Sequence, residues 1–580
     1  MPFKKLKGRR VMLINMVYSK PSKLTDWHDH LTVVYRDMIT DRKEILTIED
    51  PEVNLFVVKP EFRNFRKPRH FMTMDRLDKV TVKYKNVLYE IAKIAGPDYV
   101  EYYKTHTTAR DRKQLLKYPY VLGGDIDIIT YYMTLWNEQC GNDERKNLTK
   151  GYLDIEVDQI DYDGAIARHG ECEVNAITLV DDKANTVYTF LLDNGKNPLI
   201  KDFKDNINEF KSKLHQMFDE SYGVLDYKLF MFEDEVVMLT QFFKLVHTLN
   251  LDIILIWNMA FDIPYLMDRM RELGMDPREH MCSKQFPTRT LYYYEDTRVF
   301  EFANKKDYMQ ISDSTYYIDE LIIYAALRKS KGAVKKVNLG AVAQTVLKDG
   351  KLDYSDVGNI RTLPYEDYER FTAYNIKDCL LQMGIERKVH DLDNLYLIST
   401  GNNIAYKDAL KQTVTFRGLM YSYMKKNGIV LGHNVNFDQG GAKYDEYGDP
   451  IMDEDDDDED SFVGAINGDP KLNKANGLLI YGKPSKYLYG LVIDFDFSSM
   501  YPNSIVAFNI FATTMIGKLI IDTSVLKNPY DIDTGKEYVE DLIHGDPSFI
   551  GQKWHNLSTY EDLSAKMDAL VARKKLNKVA

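Results

Sequence analysis

The sequence predicts an α/β (α+β) protein, because strand-like and helix-like stretches alternate through its middle part. The stretch KGYLDIEV (150–157) is an apolar strand that carries two acids, and VNAITLVDD (174–182) and NTVYTFLLD (185–193) alternate like paired strands. The stretch LDIILIW (251–257) is continuously apolar, which is typical of a strand buried on both faces of a sheet. Strands followed by a strand–helix unit and further helix describe an α/β domain.

The remaining elements follow from helix and turn signals. A helix is expected from about Asp262, with Pro264 in its first turn and Gly274 just past its end. The stretch TRTLYYYEDTRVFEF (288–302) predicts two strands joined by a Glu-Asp-Thr turn. The first 147 residues mix short strand-like runs such as RRVMLINMVY with amphipathic stretches, so we expect a mixed domain at the N-terminus.

Composition indicates a folded chain of several domains. The 580 residues are 44% hydrophobic and 28% charged, which is typical of globular proteins. No apolar run approaches the roughly 20 residues that span a bilayer. The start, MPFKKLKGRRVMLINMVY, lacks the long apolar core and the cleavage site of a signal peptide. The four cysteines lie far apart without metal or redox spacing. We therefore expect a reduced, cytoplasmic protein with no signal peptide or transmembrane segment.

The charge is unevenly distributed along the chain. Residues 1–150 hold 28 Lys and Arg against 20 Asp and Glu, a net +8, and the remainder carries −20. The basic clusters FRNFRKPRH (62–70) and RDRKQLLK (110–117) could face phosphates, although a solvated surface is the favoured interpretation of either cluster alone. Eight consecutive acids (453–460) predict a disordered surface loop.

Four acids and one tyrosine form a candidate constellation. The two-residue period of a strand places Asp154 and Glu156 on one face. Asp262 follows an apolar strand, and Tyr374 precedes Asp378 by one helical turn. Hydrolysis of a phosphodiester can use two divalent cations, and Mg²⁺ prefers converging carboxylate oxygens. Each piece alone is common in proteins, but their combination favours a metal site.

These pieces resemble the three exonuclease motifs of the family B DNA polymerases, in particular the T-even bacteriophage replicative type. The matching stretches are DIE (154–156), NMAFD (258–262) and YNIKD (374–378). The resemblance implies a 3′-5′ proofreading site on a ribonuclease-H-like fold, with two Mg²⁺ (or Mn²⁺) ions. The implied metal ligands are Asp154, Glu156, Asp262 and Asp378. Tyr374 would help position the attacking water, and Asn258 and Phe261 would lie near the frayed primer end.

A second resemblance concerns the polymerase site. The stretch DFSSMYPNSI (496–505), together with the strand before it, resembles the first polymerase motif of the same family. Counting back from the Tyr-Pro pair selects Asp496 rather than Asp494 as the matching aspartate. By resemblance, Asp496 and the Phe497 carbonyl would bind metal in a second two-ion site, and the amides of Ser499 and Met500 would meet the triphosphate. Tyr501 would lie under the incoming sugar. The end, MDALVARKKLNKVA, resembles the first fingers helix, where Arg573 would bind the triphosphate.

The resemblance also implies a division into domains. The expected segments are an N-terminal domain over 1–147, joined by 391–435, a 3′-5′ exonuclease domain over 148–390, a first palm segment over 436–558 with the acidic loop 453–460, and the start of the fingers over 559–580. The sequence contains neither the second palm motif, Tyr-Gly-Asp-Thr-Asp, nor the fingers motif Lys-x-x-x-Asn-Ser-x-Tyr-Gly.

We therefore expect a replication polymerase subunit that a second chain, with the rest of the palm, fingers and thumb, completes. Its other expected partners are primer-template DNA, single-stranded DNA and dNTPs, in the cytoplasm of an infected bacterial host. A truncated fragment is the competing explanation for the missing motifs. A free-standing 3′-5′ single-strand exonuclease and a non-catalytic nucleic-acid-binding protein on a polymerase frame are the alternative functions.

Overall fold

A computed structural model describes residues 2–63, 71–141, 148–329 and 336–432 of the chain. The predicted palm and fingers segments therefore lie outside the described residues. The same holds for six predicted polymerase-site residues, which are Asp496, Phe497, Ser499, Met500, Tyr501 and Arg573. The acidic run 453–460 also lies outside.

The N-terminal part is a mixed α/β unit, as the sequence predicts. Its elements are β1 (Val11–Ser19), β2 (His30–Asp37), β3 (Lys43–Glu49), β4 (Glu52–Val58), β5 (Phe71–Thr73), β6 (Leu77–Lys83), α1 (Val87–Ala95), α2 (Pro97–Thr105), α3 (Ala109–Lys113), β7 (Val121–Leu122) and α4 (Ile128–Gln139). Strands β1, β2 and β3 form one antiparallel sheet, and β6, β4 and β7 form another. Trp136 on α4 is fully buried in the core of this unit.

A six-stranded sheet dominates the part that follows. Its elements and their neighbours are β8 (Lys150–Val157), β9 (Val174–Asp181), β10 (Thr186–Leu192), α5 (Leu199–Asp205), α6 (Ile207–Tyr222), β11 (Asp226–Phe232), α7 (Glu235–Leu249), β12 (Ile253–Ile256), α8 (Met259–Glu272), α9 (Pro277–Met281), β13 (Leu291–Tyr294), β14 (Tyr308–Ile311), β15 (Tyr316–Asp319), α10 (Glu320–Leu327), α11 (Leu339–Val346), α12 (Leu363–Glu366) and α13 (Tyr368–Val389). The strand order is β11-β10-β9-β8-β12-β15.

The strand directions in this sheet are mixed. Strands β8, β9 and β10 are antiparallel neighbours, whereas β12 runs parallel to both β8 and β15. Helix α13 packs on one face, and α7 and α8 pack on the other. Coverage of both faces explains the continuous apolar sequence of β12, and β9 and β10 are likewise buried along their whole length. A mixed sheet covered in this way is consistent with a ribonuclease-H-like fold.

Helix α8 begins earlier than the sequence predicts. It starts at Met259 rather than near Asp262, so Pro264 lies inside the helix instead of in its first turn. Asn258 precedes it in the left-handed conformation (φ 68°), and the Met259 amide donates a hydrogen bond to Asp319 Oδ2 at 2.8 Å. This contact with a distant residue gives the first turn a partner that local sequence does not reveal. Gly274 follows the helix, as predicted, with φ at +74°.

The predicted hairpin within 288–302 is wrong in its pairing. Only Leu291–Tyr294 forms a strand there, and it pairs antiparallel with β14 at Tyr308–Ile311. Residues 295–307 connect the two strands, and Phe300 is 88% exposed on this connection. Tyr293 and Met309 pack into the core on one face of the strand pair, and this packing fixes the register of the pair. Met309 lies in a segment beyond the predicted turn.

The last described elements return to the N-terminal part. They are α14 (Asp391–Asn402), α15 (Gln412–Lys426) and β16 (Ile429–Leu431), and β16 pairs with β5. The Tyr396 hydroxyl donates to the Leu13 carbonyl at 3.0 Å, and the Tyr406 hydroxyl donates to the Ile14 carbonyl at 2.8 Å. Among the described helices, none is long and apolar enough to cross a membrane.

A buried ion pair connects the N-terminal sheet to the six-stranded sheet. Arg36 on β2 donates to Asp252 Oδ1 at 2.7 Å, and the Thr149 amide donates to Asp252 Oδ2 at 2.8 Å. The Lys43 ammonium lies 3.5 Å from the same carboxylate. The Asp252 side chain is fully buried, so its charge depends on these partners.

We predict that Asp252→Ala lowers the free energy of unfolding by about 3–5 kcal/mol, because it leaves buried cationic charge without its partner. Chemical denaturation measures this change. Asp226→Ala, at the exposed start of β11, is the control and should change stability by less than about 0.5 kcal/mol. Equal effects of the two substitutions would contradict the structural role of Asp252.

Candidate active site

Three carboxylates converge where β8 meets α13. One oxygen of each of Asp154, Glu156 and Asp378 lies within 4.8 Å of the others. The period of β8 puts Leu153 and Ile155 into the core on the α7–α8 side, so Asp154 and Glu156 face α13. Helix α13 carries Asp378 on the side that packs against β8. The fold thus brings acids from two elements into one cluster, named here the carboxylate cluster.

Asp262 lies beside the carboxylate cluster. It belongs to the first turn of α8 and is only 4% exposed. Its carboxylate accepts a hydrogen bond from the Ile155 amide, between the two acids of β8. Its charge raises the pKa of Asp154, and Glu156 in turn raises the pKa of Asp262. All four acids predicted as metal ligands therefore lie in one neighbourhood.

Burial and mutual repulsion shift the pKa values of these acids upward. Burial, followed by the nearby charge of Asp378, raises the pKa of Asp154 well above its ordinary range and that of Glu156 to about 8. Burial also raises the pKa of Asp378, although the Lys351 ammonium opposes this effect. Carboxylates brought together in this way need either protons or cations to offset their repulsion.

Lys351 is a site residue that the sequence analysis missed. Its ammonium donates to Asp378 Oδ2 at 2.6 Å and to the Tyr374 hydroxyl oxygen at 3.1 Å. Burial lowers the pKa of Lys351, but Asp378 and Tyr374 raise it more strongly, so this side chain stays charged. Lys351 lies on a loop after α11, where no periodic pattern marks it. Only a lysine within a polar, glycine-containing stretch was visible in the sequence.

Tyr374 lies next to the carboxylate cluster, as its position one turn before Asp378 predicts. Burial and the Asp378 charge raise the pKa of its phenol, so the hydroxyl keeps its proton at neutral pH. Because Lys351 donates to the phenol oxygen, the Tyr374 proton is available to a further acceptor. A tyrosine held in this way can orient a polar group at the carboxylate cluster.

Two further residues support the acids and were also missed. The side-chain amide of Asn375 donates a hydrogen bond to Asp154 Oδ2 at 2.8 Å. Asp319 accepts from the Met259 and Ile322 amides, so it connects the start of α8 with the start of α10. Burial raises the pKa of Asp319 to about 7. Its place at the end of an apolar strand, YYID, was the available signal.

Asn258 and Phe261, predicted to lie near a primer end, flank Asp262 on α8. Asn258 is the N-terminal cap of the helix, and its side chain is half-buried. The Phe261 ring stacks on Tyr265, with ring centroids 5.4 Å apart. Both residues are close to Asp262 along the chain, and their contact with a primer end stays a prediction.

The residues present fit divalent cations. Carboxylate oxygens are the ligands that Mg²⁺ and Mn²⁺ prefer. Four carboxylates lie in this neighbourhood. Asp378 Oδ1 is buried and has no hydrogen-bond partner among the described residues. Such an oxygen in a native protein calls for an explanation, and metal coordination supplies one. The structure therefore contains a possible acidic metal-binding cluster.

A second group of His28, Glu49 and Asp50 has metal-ligand spacing as well. Here the ammonium groups of Lys83 and Lys85 both contact the Asp50 carboxylate, and His28 Nδ1 lies 2.9 Å from it. Because lysines already neutralise the acid, this group is an ion-pair network of the N-terminal unit.

Comparisons with known proteins identify similarity in the same part of the chain. Residues 180–319 match the family model described as DNA polymerase family B, exonuclease domain.

Three curated relatives are DNA polymerases of nuclear polyhedrosis viruses. That of Autographa californica nuclear polyhedrosis virus is 25% identical over 186 residues, or 32% of this chain and 18% of the relative. That of Bombyx mori nuclear polyhedrosis virus is 25% identical over 173 residues, or 30% of this chain and 17% of the relative. That of Orgyia pseudotsugata multicapsid polyhedrosis virus is 27% identical over 188 residues, or 32% of this chain and 17% of the relative.

The relatives correct one prediction. They are polymerases of nuclear polyhedrosis viruses, so the T-even bacteriophage type inferred from the motifs is not supported. The expected location in the cytoplasm of an infected bacterial host depended on that type and stays a prediction.

The matched segments span less than a fifth of the length of each relative. Residues 180–319 include Asp262 but not Asp154 or Asp378, and the proximity of the three acids in the structure connects the other two with this segment. Residues 180–319 are therefore similar to a family B DNA polymerase exonuclease domain, and the mixed sheet is consistent with the fold expected for such a domain.

Proposed function

We propose that residues 148–390 form a metal-dependent 3′-5′ exonuclease that acts on single-stranded DNA ends. The observation that carries this proposal is the meeting of acids from β8, α8 and α13 beside Tyr374 and Lys351. Similarity of residues 180–319 to a family B exonuclease domain supports the substrate class. Removal of mispaired primer ends, or proofreading, is the role that this activity serves in a polymerase.

Each side chain has a distinct task in this proposal. Asp154, Glu156, Asp262 and Asp378 would hold two Mg²⁺ or Mn²⁺ ions. Bound divalent ions supply an activated water and stabilise the leaving oxygen of a phosphodiester. The Tyr374 hydroxyl orients the water, and the Lys351 ammonium holds the tyrosine oxygen and adds positive charge near the phosphate. Asn258 and Phe261 would contact the terminal nucleotide.

We further propose that the chain is part of a replicative DNA polymerase. The curated relatives named DNA polymerases support this, together with the resemblance of Asp496, Phe497, Ser499, Met500, Tyr501 and Arg573 to polymerase motifs. The 580 residues lack the second palm aspartate motif and the second fingers motif. A complete polymerase site would therefore need these elements from another polypeptide or from further residues of the same one. Primer-template DNA and dNTPs are the proposed ligands of that complete site.

A free-standing exonuclease is the second candidate. The observation that favours it is that all four candidate metal ligands lie within residues 148–390. It differs from the first candidate in one respect, since a nuclease that never polymerises has no use for Asp496. Primer extension in the presence of the missing elements separates the two.

We predict that the purified chain with Mg²⁺ or Mn²⁺ degrades single-stranded DNA from its 3′ end. Asp154→Ala and Asp378→Ala should each slow cleavage by more than the roughly 100-fold upper range seen for residues that only support metal ligands. A 5′-labelled oligonucleotide reports the rate and direction, and fluorescence anisotropy should show nearly unchanged DNA binding. Asp226→Ala, far from the carboxylate cluster on the edge strand, is the control. Cleavage by both cluster variants at the parent rate would show that the acids are misassigned.

We also predict that divalent cations stabilise the protein more at pH 8 than at pH 6. The pKa of Glu156 is raised to about 8 from an ordinary 4.5, so its contribution to stability is present at low pH and is lost as the pH rises toward 8. Cations replace the lost protons and restore that contribution. Thermal unfolding with Mn²⁺ or with EDTA measures the difference. Glu156→Gln should reduce the pH dependence of the cation effect, and an equal cation effect at both pH values in the parent would argue against this site.

A third prediction concerns synthesis. The 580-residue polypeptide alone should extend no primer, because one palm aspartate cannot hold two cations against a triphosphate. Addition of a polypeptide with the missing palm, fingers and thumb elements should restore extension. Asp496→Ala should then remove extension and spare the exonuclease. Robust synthesis by the isolated 580 residues would refute the incomplete-site proposal.

A further inference from the structure

The loop after α11 is bound to α13 by two ion pairs of opposite polarity. Asp349 Oδ2 accepts from the Lys377 ammonium at 2.6 Å, and two residues later the Lys351 ammonium donates to Asp378 Oδ2 at 2.6 Å. The helix thus presents a cation and an anion at consecutive positions, and the loop presents an anion and a cation two residues apart. The first pair lies outside the carboxylate cluster, and the second lies within it.

The outer pair is built into the protein interior on the helix side. The Lys377 side chain is only 7% exposed. Its ammonium also contacts the Tyr222 hydroxyl at 3.2 Å, and that hydroxyl donates to the same Asp349 oxygen at 2.7 Å. Asp349 therefore accepts two hydrogen bonds from side chains on α6 and α13, two elements that are fixed by the core.

The start of the loop is also held closely against α13. A Cβ atom added at Gly384 would lie 2.8 Å from Leu347 Cδ1 and 3.1 Å from Tyr222 Cε1. Glycine at this helix position therefore allows Leu347 and Tyr222 to pack directly on the backbone of α13. This packing and the Asp349 hydrogen bonds restrain the loop immediately before Lys351.

Lys351 needs such restraint more than the four acids do. The acids extend from regular elements, whereas Lys351 extends from a loop, and its side chain is 36% exposed. A free lysine side chain loses about 2 kcal/mol of rotamer entropy when it is held in one geometry. Anchoring the backbone two residues away limits where the Lys351 Cα can lie, because consecutive Cα atoms are about 3.8 Å apart.

We infer that Asp349 is a positioning residue that fixes Lys351 against Asp378 and Tyr374. Asp349 acts through the backbone of its loop, with Lys377 and Tyr222 as its partners. This inference rests on the proposed exonuclease function for its kinetic consequence, but the fixing of the loop does not depend on that function.

The test combines steady-state cleavage of single-stranded DNA with hydrogen exchange of the backbone amides of residues 348–352. Asp349→Ala should lower kcat by about 10- to 100-fold, the cost expected for a small misplacement of a group at the reacting centre, with KM changed less than about twofold. It should also accelerate exchange in 348–352. Lys351→Ala should lower kcat by at least as much but accelerate exchange less than Asp349→Ala does, because the contacts of Asp349 and Leu347 remain. Asp349→Glu, which keeps the carboxylate, should recover most of kcat.

A double variant makes the coupling explicit. Asp349→Ala combined with Lys351→Ala should be no slower than Lys351→Ala alone, because the first residue acts through the second. Additive losses in the double variant would overturn the inference, as would unchanged exchange in Asp349→Ala. Tyr222→Phe removes one hydrogen bond to Asp349 with little change in volume, so it should shift kcat and exchange in the same directions as Asp349→Ala. This variant tests the inference if Asp349→Ala folds poorly. A parent protein that does not cleave DNA would instead refute the proposed function, and the exchange data would still decide whether Asp349 holds the loop.

Discussion

Repulsion among four neighbouring acids is the constraint that the fold of the six-stranded sheet region has to overcome. The four acids come from three segments that are far apart along the chain, and folding brings them into one neighbourhood with little access to water; they are Asp154 and Glu156, Asp262, and Asp378. Their upward pKa shifts are the energetic signature of that burial. Carboxylates kept so close together lower the stability of the metal-free protein at neutral pH. The surrounding fold has to hold them there with interactions made elsewhere.

Those interactions come from elements that pack independently of the acids. The β8 strand is held between β9 and β12, and apolar side chains on both faces of the sheet are buried against helices. Asp319 fixes the first turn of α8. Asp378 is part of α13, a long helix that is almost fully buried. The carboxylate cluster is thus located by rigid secondary structure, whereas Lys351 reaches it from a loop.

This division explains what could be predicted from the sequence. Period-two and continuous apolar patterns depend on burial alone, so β8, β9, β10 and β12 were predictable, and so was the shared face of Asp154 and Glu156. The start of α8 was placed too late, because its first amide, that of Met259, donates to Asp319, which lies about sixty residues away along the chain. The hairpin partner was missed for a similar reason, since β13 pairs across a 13-residue connection. Lys351 had no periodic signal at all, because loop residues are placed by tertiary contacts such as those of Asp349.

The two ends of β12 show how the fold distinguishes structural acids from candidate functional ones. Asp252, just before the strand, is fully buried and is matched by Arg36, by Lys43 and by the Thr149 amide. At the other end, the carboxylate cluster and Asp262 have Lys351 as the one cation in hydrogen-bond contact among the described residues, and Asp378 Oδ1 has no partner there. Asp262 and Asp378 are nearly as buried as Asp252, so burial alone does not account for the difference. Where an acid serves the fold, the chain supplies its counter-charge. Where the counter-charge is left incomplete, it must come from protons or from bound cations, and uptake of the cations must release the protons.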